Sequence, residues 1–147
     1  MKIFCYDSEQ WFNRPLEEVF AFFSDARNLE TITPPWLKFE IKTKGPVKMD
    51  RGTLIDYRLR LHGIHISWQS KIEVWDPPVR FVDIQVHGPY RFWRHEHLFV
   101  EEDGRTHVFD HVKYAVPGGR LVHKLFVGRE VERIFEFRRF KLEEILA

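Results

Sequence analysis

Two histidines, His95 and His97, stand one residue apart in Trp93-Arg94-His95-Glu96-His97-Leu98-Phe99. On a strand, positions i and i+2 share a face, so the two imidazoles rise from backbones about 6.5–7 Å apart. Many metal sites begin this way, and Asp110 or His87 would complete a two-histidine, one-carboxylate set. The competing reading is a hydrogen-bonded network in which Asp110 only orients His97. No further ligand spacing supports a metal, so neither metal nor cofactor is expected. A His97–Asp110 pair could also work as an acid/base dyad, with Asp110 holding the imidazole tautomer and His95 or Tyr114 assisting. Enolisation, aldol cyclisation, dehydration or hydrolysis would suit such a pair. A nucleophile elbow of the G-x-S-x-G type is absent from the sequence.

These residues can meet only if strands place them. The pattern predicts a strand over Lys2–Gln10, a short helix beginning at Arg14-Pro15 and carrying Val19, Phe20, Phe22 and Phe23, and a second short helix after Ser24-Asp25. Thr33-Pro34-Pro35 ends the second helix. Six strands follow: Leu37–Thr43, Thr53–Leu61, Ile64–Trp75, Arg80–His87, Arg91–Glu102 and Arg105–Ala115. Past Pro117-Gly118-Gly119, which the pattern marks as a candidate mobile gate, Arg120–Ala147 repeats apolar residues at helical spacing. Gly128 inside it leaves room for the sheet or for a ligand. Arg129, Arg133 and Arg139, interleaved with Glu130, Glu132 and Glu136, read as a solvated face with i,i+3 pairs. The expected class is α+β: a curved antiparallel seven-stranded sheet wrapped around a long C-terminal helix, with two short helices after the first strand.

Turns fix register, and register fixes facing. A two-residue Asp103-Gly104 turn sets His97 opposite Asp110, His95 opposite Val112 and Trp93 opposite Tyr114. The His62-Gly63 turn sets Tyr57 opposite Trp68 and Ile55 opposite Ser70. With Trp75 opposite Arg80, Ile72 faces Asp83, Ser70 faces Gln85 and Trp68 faces His87. One inner face then gathers Tyr57, Trp68, Ser70, Asp83, Gln85, His87, Trp93, His95, His97, Asp110 and Tyr114. Polar groups converging in an aromatic-lined space describe a small-molecule site. The outer face of Arg80–His87 shows Val82, Ile84 and Val86, a stripe that a second copy of the chain could cover.

Composition agrees with a cavity. Fourteen Phe, five Trp and four Tyr make 16% of the 147 residues, more rings than one small core requires. A net charge of +1 gives no field to draw in nucleic acid. The single cysteine, Cys5, rules out an intrachain disulfide framework. The polar N-terminus and the lack of long apolar runs predict a cytoplasmic chain without stable membrane insertion, with residues 1–147 forming a single domain.

The order of elements resembles the START-like (SRPBCC) superfamily and its helix-grip fold over essentially the whole chain. The nearest likeness is to bacterial ligand-binding members related to polyketide cyclase/dehydrase-like proteins. The motifs that carry it are Asn28-Leu29 with Ile32-Thr33-Pro34-Pro35, Gly52 to Tyr57, Trp68-Gln69-Ser70-Lys71-Ile72 and Trp75-Asp76-Pro77-Pro78. The most specific stretch is Phe81-Val82-Asp83-Ile84-Gln85, then Gly88-Pro89-Tyr90 and Trp93 to Phe99, with Asp110, Tyr114 and Pro117. The resemblance implies a hydrophobic or aromatic ligand (lipid, polyketide-like or isoprenoid) held between sheet and helix. It implies as the alternative a cyclase/dehydratase- or hydrolase-type enzyme using His97, Asp110 and His95.

Overall fold

The computed structural model describes residues 1–146. The expected helix end at Ala147 lies outside them. Strand β1 (Phe4–Phe12) leads into helix α1 (Leu16–Phe23), a 3₁₀ turn at Ala26–Asn28 and the short helix α2 (Leu29–Ile32). Asp25 caps that turn by accepting the Arg27 backbone N–H at 3.0 Å. Strands β2 (Glu40–Ile41), β3 (Leu54–Leu61), β4 (Ile64–Asp76), β5 (Arg80–His87), β6 (Phe92–Glu102) and β7 (Arg105–Ala115) follow. The chain ends in α3 (Gly119–Val122), a π turn at His123–Val127 and α4 (Gly128–Leu146). The seven strands form one antiparallel sheet in the order β1-β7-β6-β5-β4-β3-β2.

The hairpin arithmetic holds where the turns are tight. His62 and Gly63, and Asp103 and Gly104, all take positive φ, as two-residue turns between right-twisted strands require. Tyr57 therefore lies opposite Trp68, and Trp93, His95 and His97 opposite Tyr114, Val112 and Asp110. Two bulges change β4. At its far end Asp76, not Trp75, lies opposite Arg80, and an irregularity between Ile72 and Val74 absorbs the difference. Ile72 still meets Asp83, but Trp75 now pairs with Phe81 and joins the interior. The second irregularity, between Gln69 and Ser70, sets His87 opposite Gln69 instead of Trp68.

Two other expectations are corrected. The Val82–Ile84–Val86 stripe is not an open patch: Val82 is fully buried, Ile84 is half-buried and only Val86 is exposed. Val82 lies between Val74 and Glu96, and Glu96 pairs with Arg80 at 2.6 Å. The arginines of α4 are also not simple i,i+3 partners of its glutamates. Arg133 lies 5.0 Å over the Trp36 ring, and Arg139 donates to the Glu9 carbonyl at 2.6 Å.

The interior is three apolar clusters instead of one. Phe12, Phe20, Phe23, Phe81 and Phe99 pack with Leu142 and Leu146 under α1. Val112, Tyr114 and Val116 pack with Val131 and Phe135 of α4. Ala26, Ile41, Ile55 and Tyr57 form the third near the β3 edge. Members of all three border a single cavity.

Candidate functional site

The cavity has a volume of about 190 Å³ and lies between β3–β6, the α1–α2 segment and α4. Apolar side chains make most of its wall. Trp68, Tyr90 and Trp93 form an aromatic cluster on one side, with ring centroids 4.8–5.5 Å apart. Along β6 and onto β5 the rings of His95, His97 and Phe81 stack in a column, 3.8 Å and 4.0 Å between centroids. The i,i+2 spacing on one strand and a direct cross-strand neighbour build this column.

Of the expected site residues, Tyr57, Trp68, Ser70, Asp83, Trp93, His95 and His97 line the cavity. The Trp68 indole donates to Ser70 Oγ at 3.0 Å, which fixes that ring. Four others do not line it. Gln85 closes the loop after β5: its amide accepts from the Tyr90 N–H at 3.0 Å and donates to the Tyr90 carbonyl at 2.7 Å. It positions a wall residue without touching the space. His87 is exposed, because the bulge at Gln69/Ser70 ends the inner row before it. Tyr114 lies behind the wall, 5.8–5.9 Å from the rings of Tyr90 and Trp93, with its hydroxyl 2.7 Å from His123 Nε2. Asp110 is buried beneath His95.

The histidine–aspartate pairing is crossed relative to expectation. Although His97 and Asp110 face each other in the backbone register, the short contact of Asp110 is with His95 Nε2 at 2.7 Å. His97 Nε2 instead meets Asp83 Oδ2 on β5 at 2.8 Å. His97 Nδ1 lies 3.5 Å from Asp110 and has no hydrogen-bond partner among the described residues. Register fixes which Cα atoms are neighbours; the rotamer of a long planar side chain then selects a diagonal partner.

Electrostatics follow from burial and pairing. Burial, followed by the neighbouring His95, pushes His97 down to about 4, so it is neutral at pH 7. Burial alone would raise the Asp83 carboxyl. The hydrogen bond from His97 and the charges of His95, His97 and Arg138 outweigh it and hold Asp83 below the usual carboxylate range. Asp110 is lowered against burial in the same way, by the His95 hydrogen bond and then by Arg138. With Asp83 ionised, the Nε2–H tautomer of neutral His97 satisfies that carboxylate and leaves Nδ1 as a buried lone pair.

Asp83, His95 and His97 each bring one ligand atom within 4.8 Å of the others. The third member of a two-histidine, one-carboxylate set is thus Asp83, not Asp110 or His87. Both Nε2 atoms are already engaged by carboxylates, which leaves His97 Nδ1 as the ring nitrogen of the cluster without a hydrogen bond among the described residues.

The sequence reading missed Arg138 and Tyr90, both in the wall. Tyr90 lies in the loop between β5 and β6, and nothing local marks a loop side chain as inward. Arg138 carried a signal. Val131, Phe135, Arg138 and Leu142 fall at steps of four, three and four, so the arginine lies on the buried stripe of α4.

The family described as "Polyketide cyclase / dehydrase and lipid transport" matches residues 12–142. No curated protein matches the chain. Among solved structures, Ara h 8.0201 superposes with a TM-score of 0.71 at 14% identity, over 99% of this chain and 98% of its own. The Zhui aromatase/cyclase from a Streptomyces species gives 0.66 at 17%, over 95% and 88%. TTHA0849 from Thermus thermophilus gives 0.65 at 20%, over 97% and 99%. At these identities the three likenesses show a shared fold, the helix-grip arrangement of sheet and long helix.

Proposed function

The chain belongs to the polyketide cyclase/dehydrase and lipid transport family, and on that premise we propose that it binds a hydrophobic or aromatic small molecule in the cavity between sheet and α4. The observation that carries this reading is the wall itself. Rings and aliphatic side chains surround the space, and a short polar strip of Ser70, Asp83, His95 and His97 crosses it. Such a space offers burial at roughly 25 cal/mol per Å² of apolar ligand surface and a few polar groups to set orientation. Native mass spectrometry of the freshly purified protein tests it. A mass above that of the apo chain, lost on organic extraction, is the expected result. A protein that takes up no apolar or aromatic compound from a broad panel contradicts it.

One observation favours a second reading, an enzyme of cyclase, dehydratase or hydrolase type. His97 borders the cavity, is neutral at pH 7 and is bonded through Nε2 to Asp83, while its Nδ1, buried 3.5 Å from Asp110, has no hydrogen-bond partner among the described residues. A neutral imidazole with its tautomer held by a carboxylate is the form a general base requires. In that reading His97 removes a proton from bound ligand, Asp83 stabilises the resulting imidazolium, and the His95–Asp110 pair supports both. His97→Ala then abolishes turnover while ligand binding survives. If a ligand is identified and the wild-type protein never converts it, the enzyme reading falls and the binding reading stands.

A further inference from the structure

We propose that the ligand carries a carboxylate, and that Arg138 is the residue that receives it. This rests on the cavity reading above and narrows it to one class of compound, apolar or aromatic carboxylic acids. Among the described residues, Arg138 is the only lysine or arginine in the cavity wall. Its guanidinium carbon sits 5.7 Å from the Phe23 ring and 5.9 Å from the Phe135 ring, between two apolar surfaces. Its Nε is buried without a partner among the described residues. No carboxylate among them comes within 4.0 Å of it. The two nearby acids feel its charge but make their hydrogen bonds elsewhere, Asp110 with His95 and Asp83 with His97.

Arginine cannot discharge this cost by losing its proton, as a lysine in the same place could. Arg138 is half-buried, and a cation held against an apolar wall without an ion pair is costly to the extent that it is desolvated. The group that relieves it is a planar anion with two oxygens matching the guanidinium fork. The charge count favours a carboxylate over a phosphate. The wall supplies one cation, whose charge already acts on the ionised Asp83 and Asp110, so a ligand with two negative charges is opposed more strongly than one with a single charge. A neutral ligand such as a hydrocarbon or sterol would fill the apolar volume and leave the guanidinium unpaired.

The test uses N-phenyl-1-naphthylamine, a neutral fluorescent probe of apolar cavities, displaced at pH 8 by decanoate or by decan-1-ol. The two competitors share a chain and differ in the head group. The wild-type protein is expected to prefer decanoate by about tenfold or more, the scale of a charge-assisted hydrogen-bond pair. Arg138→Gln should abolish the preference, and Arg138→Lys should retain part of it, the preference being read in each variant as the ratio of the two competitors, so that a change in affinity for the probe cancels. Decanol competing as well as decanoate in the wild type overturns the carboxylate assignment, whatever the variants do, and leaves the cavity reading in place. A preference that survives in Arg138→Gln overturns the role of Arg138. A wild-type protein that binds neither probe nor competitors overturns the cavity reading and this inference with it.

Discussion

The two imidazoles of β6 are each tied to a different carboxylate, and the consequences are measurable in the stability of the protein. An unfolded histidine takes up its proton near pH 6.5, whereas folded His97 resists protonation down to about 4. Between those values the unfolded state binds a proton that the folded state does not, so stability falls as pH falls. The loss accumulates from pH 6.5 to 4 and is on the order of a few kcal/mol. Below that range the lowered carboxyls of Asp83 and Asp110 extend it. Urea denaturation across pH 4–8 should show this slope, and His97→Asn, which can still donate to Asp83, should flatten it. A wild-type stability independent of pH over that range contradicts the assignment of a neutral, buried His97. Asp83→Ala should cost roughly 1–3 kcal/mol, because it leaves the His97 N–H buried without an acceptor, and Asp83→Asn should cost less. Equal losses for the two variants would mean that the hydrogen bond is not what Asp83 contributes.

The elements that carry these residues were legible wherever a turn fixed the count. Positive φ at His62-Gly63 and Asp103-Gly104 made two hairpins readable residue by residue, and with them the facing of Tyr57, Trp68, Trp93, His95 and His97. The bulges in β4 were not legible, because an inserted residue leaves no mark in an alternating apolar pattern. They moved His87 out and Trp75 in. On α4 the spacing of Arg138 was readable, but its charge hid it among the solvated arginines. Gly128 is explained by an element the sequence did not announce. The π turn before it brings the His123 ring to 3.0 Å of the place a Cβ would occupy. That ring is stacked on Phe4 at 3.6 Å and bonded to Tyr114, so it has little freedom to yield. Gly128→Ala should therefore lower thermal stability despite a helix-propensity gain of about 1 kcal/mol. In a His123→Ala background the same change should cost less, although the His123 carbonyl oxygen stays 3.3 Å from the added Cβ. Stabilisation of the wild-type background by Gly128→Ala would show that the ring is not the constraint.

At the scale of the molecule, the aromatic excess is accounted for by three clusters that meet around a space instead of closing on one another. The sheet curves, α1 and α2 plug one side, and α4 crosses the concave face with Phe135 and Arg138 inward. Among the described residues no helix is long and apolar enough to cross a membrane. An occupied cavity should add stability by mass action, about 2.7 kcal/mol at a ligand concentration one hundred times Kd. The most direct test of the cavity is energy transfer from its own tryptophans. N-phenyl-1-naphthylamine bound in the space would lie against Trp68 and Trp93 and accept their excitation. Titration should saturate at one probe per chain with loss of tryptophan emission, and the transfer should drop in a Trp68→Phe/Trp93→Phe variant. Probe binding that does not saturate, or that leaves the emission of Trp68 and Trp93 unchanged, would contradict a ligand site between the sheet and the C-terminal helix.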